Sequence, residues 1–280
     1  SALEQFALHA PEVIESFKEL AKTGSVEFLA ETYAHSLASL SDTDEFERQV
    51  QRHAAKMEEL FGQKPVTLRN SSLIYSDQIG ERVAAMGFES MLTDGAKHVL
   101  GWKSPNFVYT NVMNPRLKLL LKNSRLSDDL TLRFSDHSWH EWPLTADKYA
   151  RWLKDCTQDS EIVNLFMNYE TFGENQLAET GIFEFMRSLP EYIFSTTDFE
   201  FLTPSEAVKK HQPVAPLHVP YPISWADEEK DITGWLGNEL QNEAFEELFK
   251  IQPKVEALND PELNEDYSRL QASDHFYYMR

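Results

Sequence analysis

The spacing of apolar residues changes along this chain, and each spacing marks an element. Leu3, Phe6, Ile14, Phe17 and Leu20 fall roughly on one helical face, so residues 3–22 are expected to be helical. Pro11 starts a second helix inside that stretch, because proline at the first helical position forfeits no intrahelical hydrogen bond, and Gly24 ends it. Residues 26–33 (Val-Glu-Phe-Leu-Ala-Glu-Thr-Tyr) alternate as a strand does. Phe46, Val50, Ala54, Met57 and Leu60 recur every three or four positions, which predicts an amphipathic helix over 44–61. A strand with a polar mouth follows at 66–75, then Ser76 and Asp77 as the cap of a helix stopping near Gly87, then a short strand at 90–93. Strands alternating with helices favour a parallel sheet or barrel with helical crossovers, an α/β fold.

Between Gly95 and Trp142 the rhythm breaks into short apolar pieces, 107–112, 117–121 and 130–134, and reads as an excursion from the barrel. A helix is expected over 145–155. Ile162 to Met167 is then a nearly unbroken apolar run, as in a strand covered on both faces. Asn168 and Glu170 follow it and share one side of that strand, where parallel sheets place their chemistry. A helix over 181–188, a strand at 199–202 and a cap at Thr203-Pro204-Ser205-Glu206 come next. After a proline-dense link at 211–222, residues 225–280 are helical in pattern. The expected division is therefore a barrel over 1–222 and a C-terminal helical region over 223–280.

Composition narrows the function classes. The 280 residues, 41% of them hydrophobic, suffice for a sizeable core. With 46 acidic against 26 basic residues the formal charge is −20, which disfavours nucleic acid and anionic membranes as partners. The single cysteine, Cys156, excludes an internal disulfide, and no apolar run approaches a membrane span of about 20 residues. A cytoplasmic location is the expectation. Oligomeric state is not specified by the pattern.

Three polar clusters end expected strands: Glu31 with His35, Arg69-Asn70-Ser71-Ser72, and Asn168 with Glu170 and Glu174. The nine histidines show no tight metal spacing and one cysteine cannot build a structural zinc site, so neither metal nor cofactor is expected. Phosphate-loop and dinucleotide fingerprints are absent, as is a Gly-x-Ser-x-Gly elbow that would make Ser71 or Ser72 a hydrolase nucleophile.

Four segments carry a resemblance: Glu27 to Leu37, Leu68 to Ser76, Asn164 to Glu174 and Leu270 to Tyr278. They resemble the signature regions of glycoside hydrolase family 57, in its α-amylase branch. Linking phrases such as Gly101-Trp102-Lys103-Ser104-Pro105-Asn106 and Trp139-His140-Glu141-Trp142-Pro143-Leu144 fit the same family. The resemblance implies an incomplete (β/α)7 barrel followed by a helical bundle, and retaining attack on α-glucosidic bonds of starch-like glucans.

That chemistry needs one carboxylate to attack the anomeric carbon and a second carboxyl, about 5 to 5.5 Å away, to protonate the leaving oxygen. By the resemblance, the nucleophile position is Ser72 and the acid/base position is Asn168. Neither side chain suits its role: a serine without a base attacks weakly, and an amide donates no proton in the physiological range. The family's early His-Gln-Pro motif is missing too, since His211-Gln212-Pro213 lies far too late, and the chain is expected to lack the first barrel strand. Glu31, His35, Glu170, Trp225, Asp227 and Asp274 match motif positions and are expected to line a maltooligosaccharide cleft, carboxylates bonding hydroxyls and rings stacking on glucose faces. The expectation is an α-glucan-binding protein impaired in hydrolysis. The alternatives are an active hydrolase or transferase drawing on Glu170 or Glu174, and a non-catalytic scaffold.

Overall fold

The computed structural model describes residues 2–156 and 160–280. In chain order the elements are α1 (Ala2–His9), α2 (Pro11–Lys22), α3 (Glu45–Phe61), β1 (Thr67–Arg69), α4 (Asp77–Ala85), β2 (Ser90–Asp94), α5 (Lys97–Leu100), β3 (Tyr109–Asn111), β4 (Lys118–Lys122), α6 (Ser124–Thr131), α7 (Ala146–Cys156), α8 (Ile182–Thr196), α9 (Pro204–Lys210) and β5 (Ala215–Leu217). Five further helices follow: α10 (Thr233–Leu236), α11 (Glu239–Lys250), α12 (Gln252–Leu258), α13 (Pro261–Leu270) and α14 (Ser273–Tyr277).

Local chemistry sets several of these boundaries. Ser76 caps α4 by accepting from the Ile79 amide at 3.3 Å, and Asp77 in its first turn accepts from the Val219 amide at 2.9 Å, tying α4 to the segment after β5. Thr203 and Glu206 close a reciprocal capping box at the start of α9, with Pro204 at its first position. Gly62 ends α3 in the left-handed conformation, which a residue without Cβ adopts at little cost.

The five strands form one mixed sheet in the order β1-β2-β4-β3-β5, parallel except for the β3–β4 pair. Thr67 stands beside Ser90 and Ser90 beside Lys118, Arg69 beside Leu92 and Leu92 beside Leu120, and Asp94 beside Lys122. Because side chains alternate, these residues share the inner face, while Leu68, Met91, Leu119 and Leu121 point outward onto α3 and α4. Those four are buried, each contributing about 1.5–3 kcal/mol of burial. The inner face packs Leu92 and Leu120 with Leu73, Val108 and Val208. A separate core joins α6, α7 and α8.

The α/β expectation holds, with local corrections. Residues 95–142 are no excursion: they supply β4, which lies in the middle of the sheet, and its antiparallel neighbour β3 intrudes on an otherwise parallel pattern. Residues 130–134 end α6 and the residues just after it instead of forming a strand. The segments at 26–33 and 162–167 join the sheet by single parallel bridges, Ala30 to Leu68 and Asn164 to Lys122, instead of full ladders. The second of these has both faces packed, Val163, Leu165 and Met167 against the core that joins α6, α7 and α8, and Ile162 and Phe166 against the inner face of the sheet. Ile162 to Met167 are nonetheless only half-buried, and residues 162–166 line a cavity of about 740 Å³ whose wall includes Leu189 and Ile193 of α8 and residues 198–202. The expected strand at 199–202 is part of that wall and carries no ladder. The proline-dense link holds β5.

Candidate functional site

Three strands end in charge on the inner face: β1 in Arg69, β2 in Asp94 and β4 in Lys122. The layer below is apolar, Leu92 and Leu120. Charges set above such a layer, at the C-terminal ends of parallel strands, occupy the position where α/β folds place their sites.

Glu31 ends the extended segment beside β1. Its carboxylate accepts from Arg69 Nη1 at 2.7 Å and lies 3.3 Å from His35 Nδ1, and its backbone amide donates to His53 Nδ1 at 3.3 Å. Burial alone would raise this carboxyl, but the His35 hydrogen bond and the Arg69 charge outweigh burial and hold it at about 2. His53, by contrast, is pushed down by burial, partly countered by the charge of Glu31. Arg69 also reaches the aromatic rings above the sheet, with its guanidinium carbon 5.6 Å from the Phe166 ring centre and 5.2 Å from that of Trp225.

Trp225 is the hub. Arg69 and Lys122 both approach its indole, Lys122 Nζ at 5.3 Å, and Phe166 leans on it with ring centres 5.7 Å apart. Its backbone amide donates to the Ser72 carbonyl at 3.1 Å, and its carbonyl accepts from Lys230 Nζ at 2.8 Å. Lys122 is buried and ion-paired to Asp128 at 3.1 Å. Lys230 Nζ stands 4.0 Å from Asp94, which is buried and accepts from the Ser124 hydroxyl at 3.1 Å. Burial raises the Asp94 carboxyl, and Lys230, Lys122 and the Ser124 bond only partly offset it. Two cations and a phenyl ring thus lie against the indole of Trp225, which is half-buried.

Backbone strain gathers at the same place. Among the described residues, six other than glycine have positive φ: His35, Ser72, Leu73, Asp227, Lys230 and Asn259. Asn259 ends α12, and the other five lie in the loops around Glu31 and Trp225. A left-handed side-chain residue costs roughly 1–3 kcal/mol, so five of them persist only where surrounding contacts impose them, as at functional sites. Ser72 (φ 50°, ψ 27°) is buried, and its hydroxyl has no hydrogen-bond partner among the described residues. Neighbouring Ser71 is locked to Thr32 at 2.7 Å.

The structure thus brings Glu31, His35, Ser72 and Trp225 together through Arg69. Asp227 is exposed in the strained loop after Trp225 and accepts from Arg280 Nη1 at 2.7 Å, with no hydrogen bond or ion pair to that cluster among the described residues. Asp274 is exposed in the first turn of α14, next to Ser273, whose amide donates to the His35 carbonyl at 2.9 Å. Asn168 precedes a short turn at Tyr169–Thr171 with no side-chain cap bond, and Asn168, Glu170 and Glu174 are exposed. No hydrogen bond or ion pair among the described residues links those three side chains to the Glu31 cluster. Sequence reasoning missed Asp94, Lys122 and Lys230 as members of the cluster. The signal for the first two was a charged residue directly ending an apolar strand run.

A Methanocaldococcus jannaschii protein, whose name provisionally assigns it as an alpha-amylase, is 43% identical over 278 residues, 95% of this chain. The chain spans 59% of that relative's length. Among solved structures, a branching enzyme of Pyrococcus horikoshii superposes with a TM-score of 0.76 at 14% identity, covering 99% of this chain and 64% of that one. A Thermococcus kodakaraensis branching enzyme, solved with glucose, gives 0.75 at 15% identity, covering 99% and 66%. At such identities the likeness speaks for the fold, an incomplete (β/α)7 barrel followed by helices. The sequence profile of Glycosyl hydrolase family 57 matches residues 1–220, and this chain belongs to that family.

Proposed function

We propose that this chain is an α-amylase-like member of family 57 whose cleft binds a maltooligosaccharide or a starch-like glucan and whose hydrolytic step is impaired. The observation that carries this reading is the state of the two positions that the family resemblance assigns to catalysis. Ser72 is buried with no base on its hydroxyl, and Asn168 is an exposed amide. Loss of general acid catalysis alone costs on the order of 100- to 10,000-fold. The framework beside Ser72 supports retained binding, since Glu31, His35, Arg69 and Trp225 are mutually held. Glu170 and Glu174 are exposed and outside the hydrogen-bonded cluster, a poor setting for substitute catalysts. A cytoplasmic location and a boundary near residue 222 belong to the same reading.

Calorimetric titration with maltotriose and maltoheptaose at millimolar concentration tests the cleft, and absence of heat at every length would sink it. The double variant Ser72→Glu, Asn168→Asp tests the impairment. Release of reducing sugar by the variant and not by the parent chain supports the reading, whereas full activity in the parent refutes it.

A further inference from the structure

Helix α8 carries two apolar stripes, and only one of them is buried. Ile182, Phe185, Leu189 and Ile193 face the core formed with α6 and α7. Phe183, Met186, Pro190 and Phe194 recur at intervals of three, four and four, forming a second stripe about a quarter turn around the helix. Phe183, Met186 and Phe194 are 40%, 39% and 58% exposed, and Phe201, 62% exposed, extends the stripe through an edge-on contact with Phe194 at 5.5 Å. At about 200 Å² per large side chain, these four leave about 400 Å² of apolar surface, within the size of the largest patch on a monomeric protein, which is often functional.

The flank of the stripe identifies the partner. Arg187 and Glu191, both exposed, lie one turn apart beside it. We propose that this face is where two copies of the chain associate, their α8 helices antiparallel about a two-fold axis. Such an axis sets Phe183 of one copy against Phe194 of the other, with Met186 and Pro190 near the centre. A two-fold perpendicular to both helices keeps the same flank together on the two copies, so Arg187 reaches the Glu191 of the other copy, twice. The surface is self-complementary in shape and in charge, as an isologous interface must be. A net charge of −20 on each copy opposes any self-association, so these opposed pairs are what permits the contact. The patch is about half the usual 800 Å² per partner, and the expected dimer is therefore weak, in the range of tens of micromolar.

Sedimentation velocity across about 5 to 200 µM reads the assembly directly, with circular dichroism confirming that each variant is folded. The parent chain is expected to pass from monomer to dimer in that range, and Phe194→Glu to weaken association at least about tenfold. Arg187→Glu and Glu191→Arg should each weaken it, while the double exchange Arg187→Glu, Glu191→Arg restores it to within about threefold of the parent. A parent chain that stays monomeric throughout overturns the proposal, because the patch then serves another partner. So does a dimer indifferent to Phe194→Glu, or one that the double exchange fails to restore.

Discussion

The backbone amide of Trp225 donates to the carbonyl of Ser72 across 3.1 Å, joining a loop that follows β1 to one that follows β5. Ser72 makes that bond from a left-handed conformation, and the indole of Trp225 is held by Arg69 and Lys122. The ring is therefore part of the support for the strained loop. Trp225→Ala is expected to lower unfolding free energy by about 3 kcal/mol in urea titrations, and Trp225→Phe by about 1 kcal/mol, because the phenyl ring still offers Arg69 and Lys122 an aromatic face. Equal losses in the two variants would show that the ring is not a support.

Glu31 predicts a specific dependence on pH. Its carboxyl, ordinarily near 4.5, is held at about 2 by His35 and Arg69 in spite of burial. A depressed carboxyl stabilises the fold above its unfolded value, and that stability drains away as pH falls from about 4.5 towards 2. Glu31→Gln should cost on the order of 3 kcal/mol at pH 7, with the difference from the parent chain shrinking across that window. Denaturation curves at pH 7, 4 and 3 check the trend.

Asp94 predicts the opposite sign. Burial raises its carboxyl, so between the ordinary value and the raised one the folded chain binds more protons than the unfolded chain. Stability from this group therefore falls as pH climbs through that window. Asp94→Asn, which keeps the hydrogen bond to Ser124 without the buried charge, is expected to leave stability at pH 7 unchanged or to raise it by up to about 1 kcal/mol. Urea titrations of the two chains at pH 7 and pH 4 give the comparison, and a loss at pH 7 as large as that of Glu31→Gln would contradict it.

Gly95 sets the spacing between the ends of β2 and β4. A Cβ there would lie 2.6 Å from the Lys122 carbonyl oxygen and 2.9 Å from Pro105, and the backbone atom cannot swing aside. Gly95→Ala should cost about 2–3 kcal/mol by thermal denaturation. It should also displace Lys122, which on the proposed function weakens the heat of maltoheptaose titration in a variant that still folds.

Much of the fold was legible because it is written locally. The Thr203–Glu206 capping box and the helical spacing of Phe46, Val50 and Met57 need only neighbours in sequence. The apolar run 162–167 is packed on both faces as its composition implies, yet it stays half-buried, because the cavity it lines with Leu189, Ile193 and residues 198–202 is made by segments distant in the chain. β4 was misplaced because its neighbour β3 runs antiparallel, which breaks the crossover rhythm without leaving the sheet. At the site, the resemblance assigns the nucleophile position to Ser72 and the acid/base position to Asn168. The pairing of Asp94 with Lys230 joins residues far apart in the chain and leaves no periodic trace. The strain at His35, Ser72, Leu73, Asp227 and Lys230 is likewise invisible in a sequence that uses ordinary residues where glycine would be easier.

The antiparallel bridge between Ser36 and Ala272, next to the bond from the Ser273 amide to the His35 carbonyl, has a kinetic consequence. The loop bearing His35 reaches its final form only against residues near position 272, so its ordering waits until that segment, more than 230 residues further on, has left the ribosome. Contacts of such sequence separation form slowly, because a long loop must close before any of them is rewarded. The hydrophobic sheet can assemble early. The cluster around Glu31 is among the last parts of the molecule to set, and a nascent chain interrupted before residue 272 would carry the barrel strands without a finished cleft.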